Sequence, residues 1–244
     1  MAGLSVREAA QRLNVNPARV RALLKDGGLT GRRIGFQWVV DDDSVRRRLD
    51  LVASDRGRPL SRRSAWSAAA LLDGQATPWL ASSERSRLGA RLKRHVADGV
   101  DIYRWWMRKR ASVARYRIAA ADIAELIADR AVVVGGISAS APHDLGLSFA
   151  DEAEVYIGAS DVTRLVDEFF LVGSERGNLV LHVEDSGFGW HQRTARVVNG
   201  VSAVPRLVVA TDLLDSHDTR TRNAGADLLG HLLHSMADGR VSRD

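Results

Sequence analysis

Between residues 16 and 33 the chain places Asn16, Arg19, Arg21, Lys25, Arg32 and Arg33. These residue types hold nucleic acid: paired guanidinium donors reach guanine edges or phosphate oxygens, and lysine adds a compact positive charge. A second group of reactive types, Asp212, Asp215, His217 and Asp218, has the chemistry of a hard metal site or an acid–base pair. Its spacing defines neither, and a polar loop entering a helix is the expectation. His231 and His234 share a helical face, but Leu228, Leu229, Leu232 and Leu233 around them mark a packing helix. There is no glycine-rich phosphate loop, no nucleophile elbow and no cysteine for thiol chemistry. The sequence therefore predicts no catalytic residue, no metal and no cofactor.

The first group depends on short elements for its geometry. Ser5 and Glu8 have the spacing of a capping box, which starts a helix at Val6. Val6, Ala9, Ala10 and Leu13 then form one apolar stripe. Asn16 suits an N-cap and Pro17 the first position of a second helix, running to about residue 26. Its buried stripe is Val20, Leu23 and Leu24; the opposite face carries Ala18, Ala22 and Lys25, flanked by Arg19 and Arg21. Small residues between long cations let such a helix sit deep in a major groove. Gly27-Gly28 ends it, and Leu29 to Val40 reads as a hairpin turning at Gly35-Phe36, with Arg32 and Arg33 on its first strand. Asp41-Asp42-Asp43 favours, by the helix dipole, a third helix over Ser44–Leu49. The whole reads as a winged helix-turn-helix over residues 1–50.

A basic linker follows at 51–63. Its Arg56-Gly57-Arg58-Pro59 is identical to the core of an AT-hook, in which two arginines enter a narrow minor groove, and it reads equally as exposed linker. Residues 64–111 form a helical basic segment, with helices expected over Ser64–Leu72 and Ser83–Val96. In Tyr103-Arg104-Trp105-Trp106-Met107-Arg108-Lys109-Arg110, aromatics alternate with cations. That pattern fits a buried seam with snorkelling cations, or a platform that stacks on bases.

From residue 112 onward an α+β domain is expected, one that regulates or binds a partner. A shift of 39 residues superposes Arg117–Ile123 on Tyr156–Val162 and continues through Val132-Val133 on Leu171-Val172, so each copy reads strand, short helix, strand. Leu179–Val183 and Val204–Ala210 read as further strands, and a helix from about Thr219 to Met236 closes the domain. The fold class is therefore α+β.

Charge divides the chain. Of 35 basic and 30 acidic side chains, residues 1–60 carry a balance of +5, residues 61–130 of +7 and residues 131–244 of −7. A basic first half gains from counterion release on phosphates, whereas the acidic remainder is repelled by them. No segment has the apolar length of a membrane span, and the first residues lack the apolar core of a secretory signal, which predicts a cytoplasmic location.

In order and spacing, S-V-R-E-A-A-Q-R-L, P-A-R-V-R-A-L-L-K-D-G and G-R-R-I-G-F-Q-W-V-V resemble the excisionase and MerR-type winged helix family. The resemblance covers about a fifth of the chain. It implies binding of double-stranded DNA through Arg19, Arg21 and Lys25 in the major groove, with wing contacts from Arg32 and Arg33. The chain lacks the long dimerising coiled coil and the cysteine sensor of MerR-type factors. The phrases Y-I-G-A-S-D, S-E-R-G-N-L-V-L and P-R-L-V-V-A-T-D-L-L resemble AbiEi-type antitoxin regulators. That resemblance implies an autorepressor whose larger domain counters a nucleotidyltransferase-like toxin. The leading expectation is a DNA-binding transcriptional regulator, an antitoxin, with DNA, such a toxin and a second copy of the chain as partners. The alternative is an excisionase-like architectural factor.

Overall fold

The computed structural model describes residues 3–13, 15–35, 37–45, 48, 58–147 and 151–237. The protein is a mixed α+β chain of two compact units, Met1–Arg58 and Pro59–Asp244.

In the first unit the expected capping box forms: the Ser5 backbone N–H donates to Glu8 Oε2 at 2.7 Å and the Glu8 N–H to Ser5 Oγ at 3.2 Å. Those bonds hold the Glu8 carboxyl below its ordinary range, the Ser5 backbone donor contributing most. Strand β1 (Gly3–Ser5) leads into α1 (Val6–Leu13), and α2 (Pro17–Lys25) begins where Asn16 Oδ1 accepts the Arg19 N–H at 2.8 Å. Strands β2 (Gly31–Ile34) and β3 (Gln37–Asp41) form the hairpin, and β3 also pairs antiparallel with β1. Leu4, Ala9, Val20, Leu23, Leu24, Leu29 and Val40 close a small core beneath them. Arg12 pairs with the buried Asp42, tying α1 to the end of β3. Residues 42–45 are helical, and most of the rest of the expected third helix lies outside the described residues.

In the second unit, α3 (Arg62–Leu72), α4 (Ser82–Arg94) and α5 (Val100–Met107) precede a seven-stranded sheet. They are not a separate layer of charge: Trp66, Leu92, Tyr103, Trp106 and Met107 share one core with the sheet. The aromatic run is thus a buried seam. Tyr103 and Trp106 point inward, while Arg91 and Arg108 lie over the rings of Trp106 and Trp105.

The sheet contains β4 (Ser112–Arg117), β5 (Val133–Val134), β6 (Ala153–Gly158), β7 (Val172–Gly173), β8 (Leu179–Glu184), β9 (Arg196–Val198) and β10 (Val201–Ala203). Their order is β7-β4-β8-β6-β5-β10-β9. Between the strands lie α6 (Ile123–Ala128), α7 (Val162–Glu168) and the short α8 (Trp190–Arg193). The 39-residue repeat appears as β4-α6-β5 and β6-α7-β7. Its two copies exchange strands: β7 pairs with β4, and β5 with β6. The registers are equivalent, Arg117 opposite Val172 and Tyr156 opposite Val133, because the same offset relates both members of each pair. Strand β8 fills the gap between the copies, antiparallel to β4 and parallel to β6.

The expected strand at Val204–Ala210 is instead largely helical: α9 spans Arg206–Leu214. Every residue from Leu207 to Leu214 is buried, so the helix has no polar stripe, and an unbroken apolar run carries no period that separates strand from helix. Helix α10 (Thr219–Ala237) packs across α9 at Gly225, where an added Cβ would sit 2.8 Å from the Ala210 carbonyl oxygen and 3.0 Å from Leu214 N. On a free helix, Gly225→Ala would stabilise by about 1 kcal/mol. Here it is expected to destabilise by about 1–3 kcal/mol, because backbone must yield. A urea midpoint unchanged or raised in that variant would contradict the close approach. No helix among the described residues is long and apolar enough to cross a membrane.

Candidate functional site

In the first unit Asn16, Arg19, Arg21, Lys25, Arg32 and Arg33 are all exposed. Helix periodicity leaves Val20, Leu23 and Leu24 to the core, so Ala18, Arg19, Arg21 and Lys25 face water around the half-buried Ala22. None of Arg19, Arg21, Lys25, Arg32 and Arg33 has an ion-pair partner among the described residues. Asn16 acts on this face through the backbone, by fixing the start of α2. Arg32 and Arg33 lie on β2, opposite Val39 and Trp38. Of the two arginines in the hook-like tetrapeptide, Arg58 is exposed and Arg56 lies outside the described residues.

The second unit holds a polar cluster that the sequence did not reveal. Glu154 and Tyr156 are two apart on β6 and so share a face of the sheet; His182 on β8 lies beside Tyr156 in register, and the two rings stack with centroids 4.3 Å apart. From above, α9 contributes Asp212, and the turn after α5 contributes Arg110. Both are fully buried and ion-paired, Arg110 Nη2 donating to Asp212 Oδ1. Tyr156 Oη donates to the same carboxylate oxygen at 2.8 Å and accepts from Arg110 Nε at 2.7 Å. The Gly136 N–H donates to Asp212 Oδ2 at 3.1 Å. Burial opposes the charge on Arg110, but Asp212 and Tyr156 more than offset it and push its pKa upward. Burial likewise drives the Asp212 carboxyl above its ordinary range, against the pull of Arg110.

Glu154 and His182 form the second half of the cluster, with Glu154 Oε1 2.7 Å from His182 Nε2. Burial would raise the Glu154 carboxyl, yet the hydrogen bond and charge of His182 outweigh it and hold the carboxyl below its usual range. Gly135-Gly136 gives both carboxylates room. A Cβ on Gly136, whose φ is +40°, would fall 1.8 Å from Glu154 Oε2, and one on Gly135 would meet the Tyr156 ring at 2.5 Å. The cluster borders a cavity of about 430 Å³, also lined by Arg108, Arg115, Asn178 and His217. A carboxylate hydrogen-bonded to an imidazole at a cavity can exchange protons or ligate a cation.

The acidic segment Asp212–Asp218 is therefore not one site. Asp212 points into the core from inside α9 instead of lying in a helix-entry loop. Asp215 pairs with Arg104 at 2.6 Å, His217 is exposed, and Asp218 Oδ2 accepts the Thr221 N–H at 2.7 Å to start α10. His231 and His234 are exposed on α10. Of this cluster the sequence singles out Asp212 alone; Glu154 and His182 show only as polar residues interrupting apolar strands, and Arg110 is hidden at the end of a run of surface-like cations. The chain matches no family model, no curated protein and no solved structure.

Proposed function

We propose that the chain is a sequence-specific, double-stranded-DNA-binding transcriptional regulator whose first unit is a winged helix-turn-helix. What carries this reading is the exposed face of α2, where Arg19, Arg21 and Lys25 surround Ala18 and Ala22 without ion-pair partners among the described residues. Unpaired cations on a helix already locked by its N-cap pay no cost of breaking internal salt bridges when they meet phosphate or base edges. The hairpin bearing Arg32 and Arg33 supplies the wing. We assign the α+β part of the second unit, whose residues 131–244 carry a balance of −7, to a partner, and by the AbiEi-type resemblance that partner is a nucleotidyltransferase-like toxin and the regulated operon the chain's own.

Titrating the full chain against a fluorescent duplex from its own upstream region tests the DNA reading. Anisotropy is expected to show log Kobs falling linearly with log salt concentration, at a slope of about −0.9 per phosphate contacted. Specific sequence is expected to be preferred over random duplex by roughly a thousandfold or more. Salt-independent affinity, or no preference for any upstream duplex, would reject the reading.

A further inference from the structure

We propose that Glu154, His182 and Asp212 form a binding site for one divalent transition-metal ion, of the class of Mn²⁺, Fe²⁺ or Zn²⁺. One ligand atom from each lies within 4.8 Å of the others, so a cation between them reaches all three with small side-chain shifts. One imidazole and two carboxylates are the donor set of this metal class, softer than the all-oxygen sets of Mg²⁺ and Ca²⁺.

Charge supports the site independently of distance. The cluster holds two carboxylates and one permanent cation, Arg110, which pairs with Asp212. With His182 neutral, one negative charge stays buried without a counterion, and such a charge is expensive in a protein interior. Either a proton on His182 or a bound cation neutralises it.

The donors differ in how firmly they are held. Asp212 Oδ1 already accepts two bonds and Oδ2 one, whereas Glu154 Oε2 has only a 3.4 Å contact from the Ile137 N–H. Glu154 and His182 therefore anchor the cation, and Asp212 Oδ1, which already accepts from Arg110 and Tyr156, completes the set by giving up one of those bonds.

His182 is 3% exposed and lines the cavity, and its Nδ1 has no hydrogen-bond partner among the described residues. Metallation of Nε2 puts the imidazole proton on Nδ1, where no acceptor stands among the described residues, so that buried N–H holds the affinity below that of a site with a supporting acceptor. The cavity beside the cluster is large enough for water or a small anion to complete the coordination shell. The groups facing His182 Nε2 are Glu154, Asp212 and, through Asp212, Arg110 and Tyr156.

Calorimetric titration of the full, chelator-treated chain with MnCl₂ and with ZnCl₂ tests the site without reference to DNA. The expected result is a single equivalent, saturable and reversed by a chelator. His182→Ala and Glu154→Gln are each expected to weaken binding about tenfold or more, since even partners behind a ligand contribute that much. His231→Ala, on the exposed face of α10, is expected to leave it unchanged. No saturable binding of either ion, or equal affinity in the His182 variant, overturns the proposal. Where a substitution abolishes cooperative melting, Co²⁺ added to the unaltered chain decides. Visible ligand-field bands that disappear on acidification support the site, and a spectrum identical to aqueous Co²⁺ overturns it.

Discussion

Arg110→Ala is expected to remove about 3–5 kcal/mol of stability at neutral pH, because it leaves the Asp212 carboxylate buried without its counterion. For a unit of this size that corresponds to a fall in Tm of roughly 6–20 °C. The loss exceeds that of a surface arginine by several-fold, since exposed pairs such as Arg104 with Asp215 contribute at most about 1 kcal/mol. Replacing both partners by apolar residues, Arg110→Met with Asp212→Leu, is expected to recover part of the loss. Full recovery is not expected, because Tyr156 Oη and the Gly136 N–H then lose their acceptor. A change below about 1 kcal/mol in the single variant would show that the pair is not what holds α9 over the sheet.

The pH dependence of that loss has a definite sign. Burial already lifts the Asp212 carboxyl above its ordinary range, and without Arg110 the lift grows. In the variant the folded chain keeps a proton on Asp212 at pH values where the unfolded chain, with an ordinary aspartate near 3.9, has released it. The unfolded state then binds fewer protons, so stability falls as pH rises above about 4, by up to about 1.4 kcal/mol per pH unit. The gap between parent and variant is expected to widen from pH 4 to pH 7. Denaturant midpoints at those two pH values measure it, and a gap that narrows would contradict the assignment of Asp212 as the buried anion.

Why this cluster escaped the sequence while the first unit did not is a matter of range. Ser5 with Glu8 and Asn16 with Arg19 are bonded three residues apart, so their chemistry is written in local spacing. The 39-residue repeat was legible for the same reason: each copy is a local strand, helix and strand, and both copies form at matching positions. What the repeat did not convey is that the copies exchange strands, since pairing of β5 with β6 and β7 with β4 is a long-range choice made by the sheet. Arg110 meets Asp212 across 102 residues and Glu154 meets His182 across 28. No periodicity encodes such meetings. Helix α9 adds a different obscurity, because a helix buried on all sides loses the very alternation that would identify it. In a loop an aspartate needs no partner, whereas the burial of Asp212 inside α9 demands one.

The DNA-binding reading yields the other large effect. Arg19→Ala and Arg21→Ala are each expected to weaken binding to the preferred duplex by about 1–3 kcal/mol, or roughly 5- to 150-fold, if they touch base edges. Stability is expected to change by less than about 0.5 kcal/mol in either variant, since both side chains are exposed on α2 and away from Val20, Leu23 and Leu24. Arg32→Ala and Arg33→Ala on β2 are expected to behave differently. A wing arginine that meets phosphate lowers affinity for all sequences alike and reduces the salt slope by about 1, whereas an α2 arginine that reads a base lowers the ratio of specific to random binding. Anisotropy titrations of the four variants on specific and random duplexes, at two salt concentrations, separate these signatures. Equal losses on both duplexes for Arg19 and Arg21 would make α2 a backbone contact and move sequence reading elsewhere. No loss in any of the four would place the DNA-binding surface outside this unit, and the basic balance of residues 61–130 would then be where to look for it.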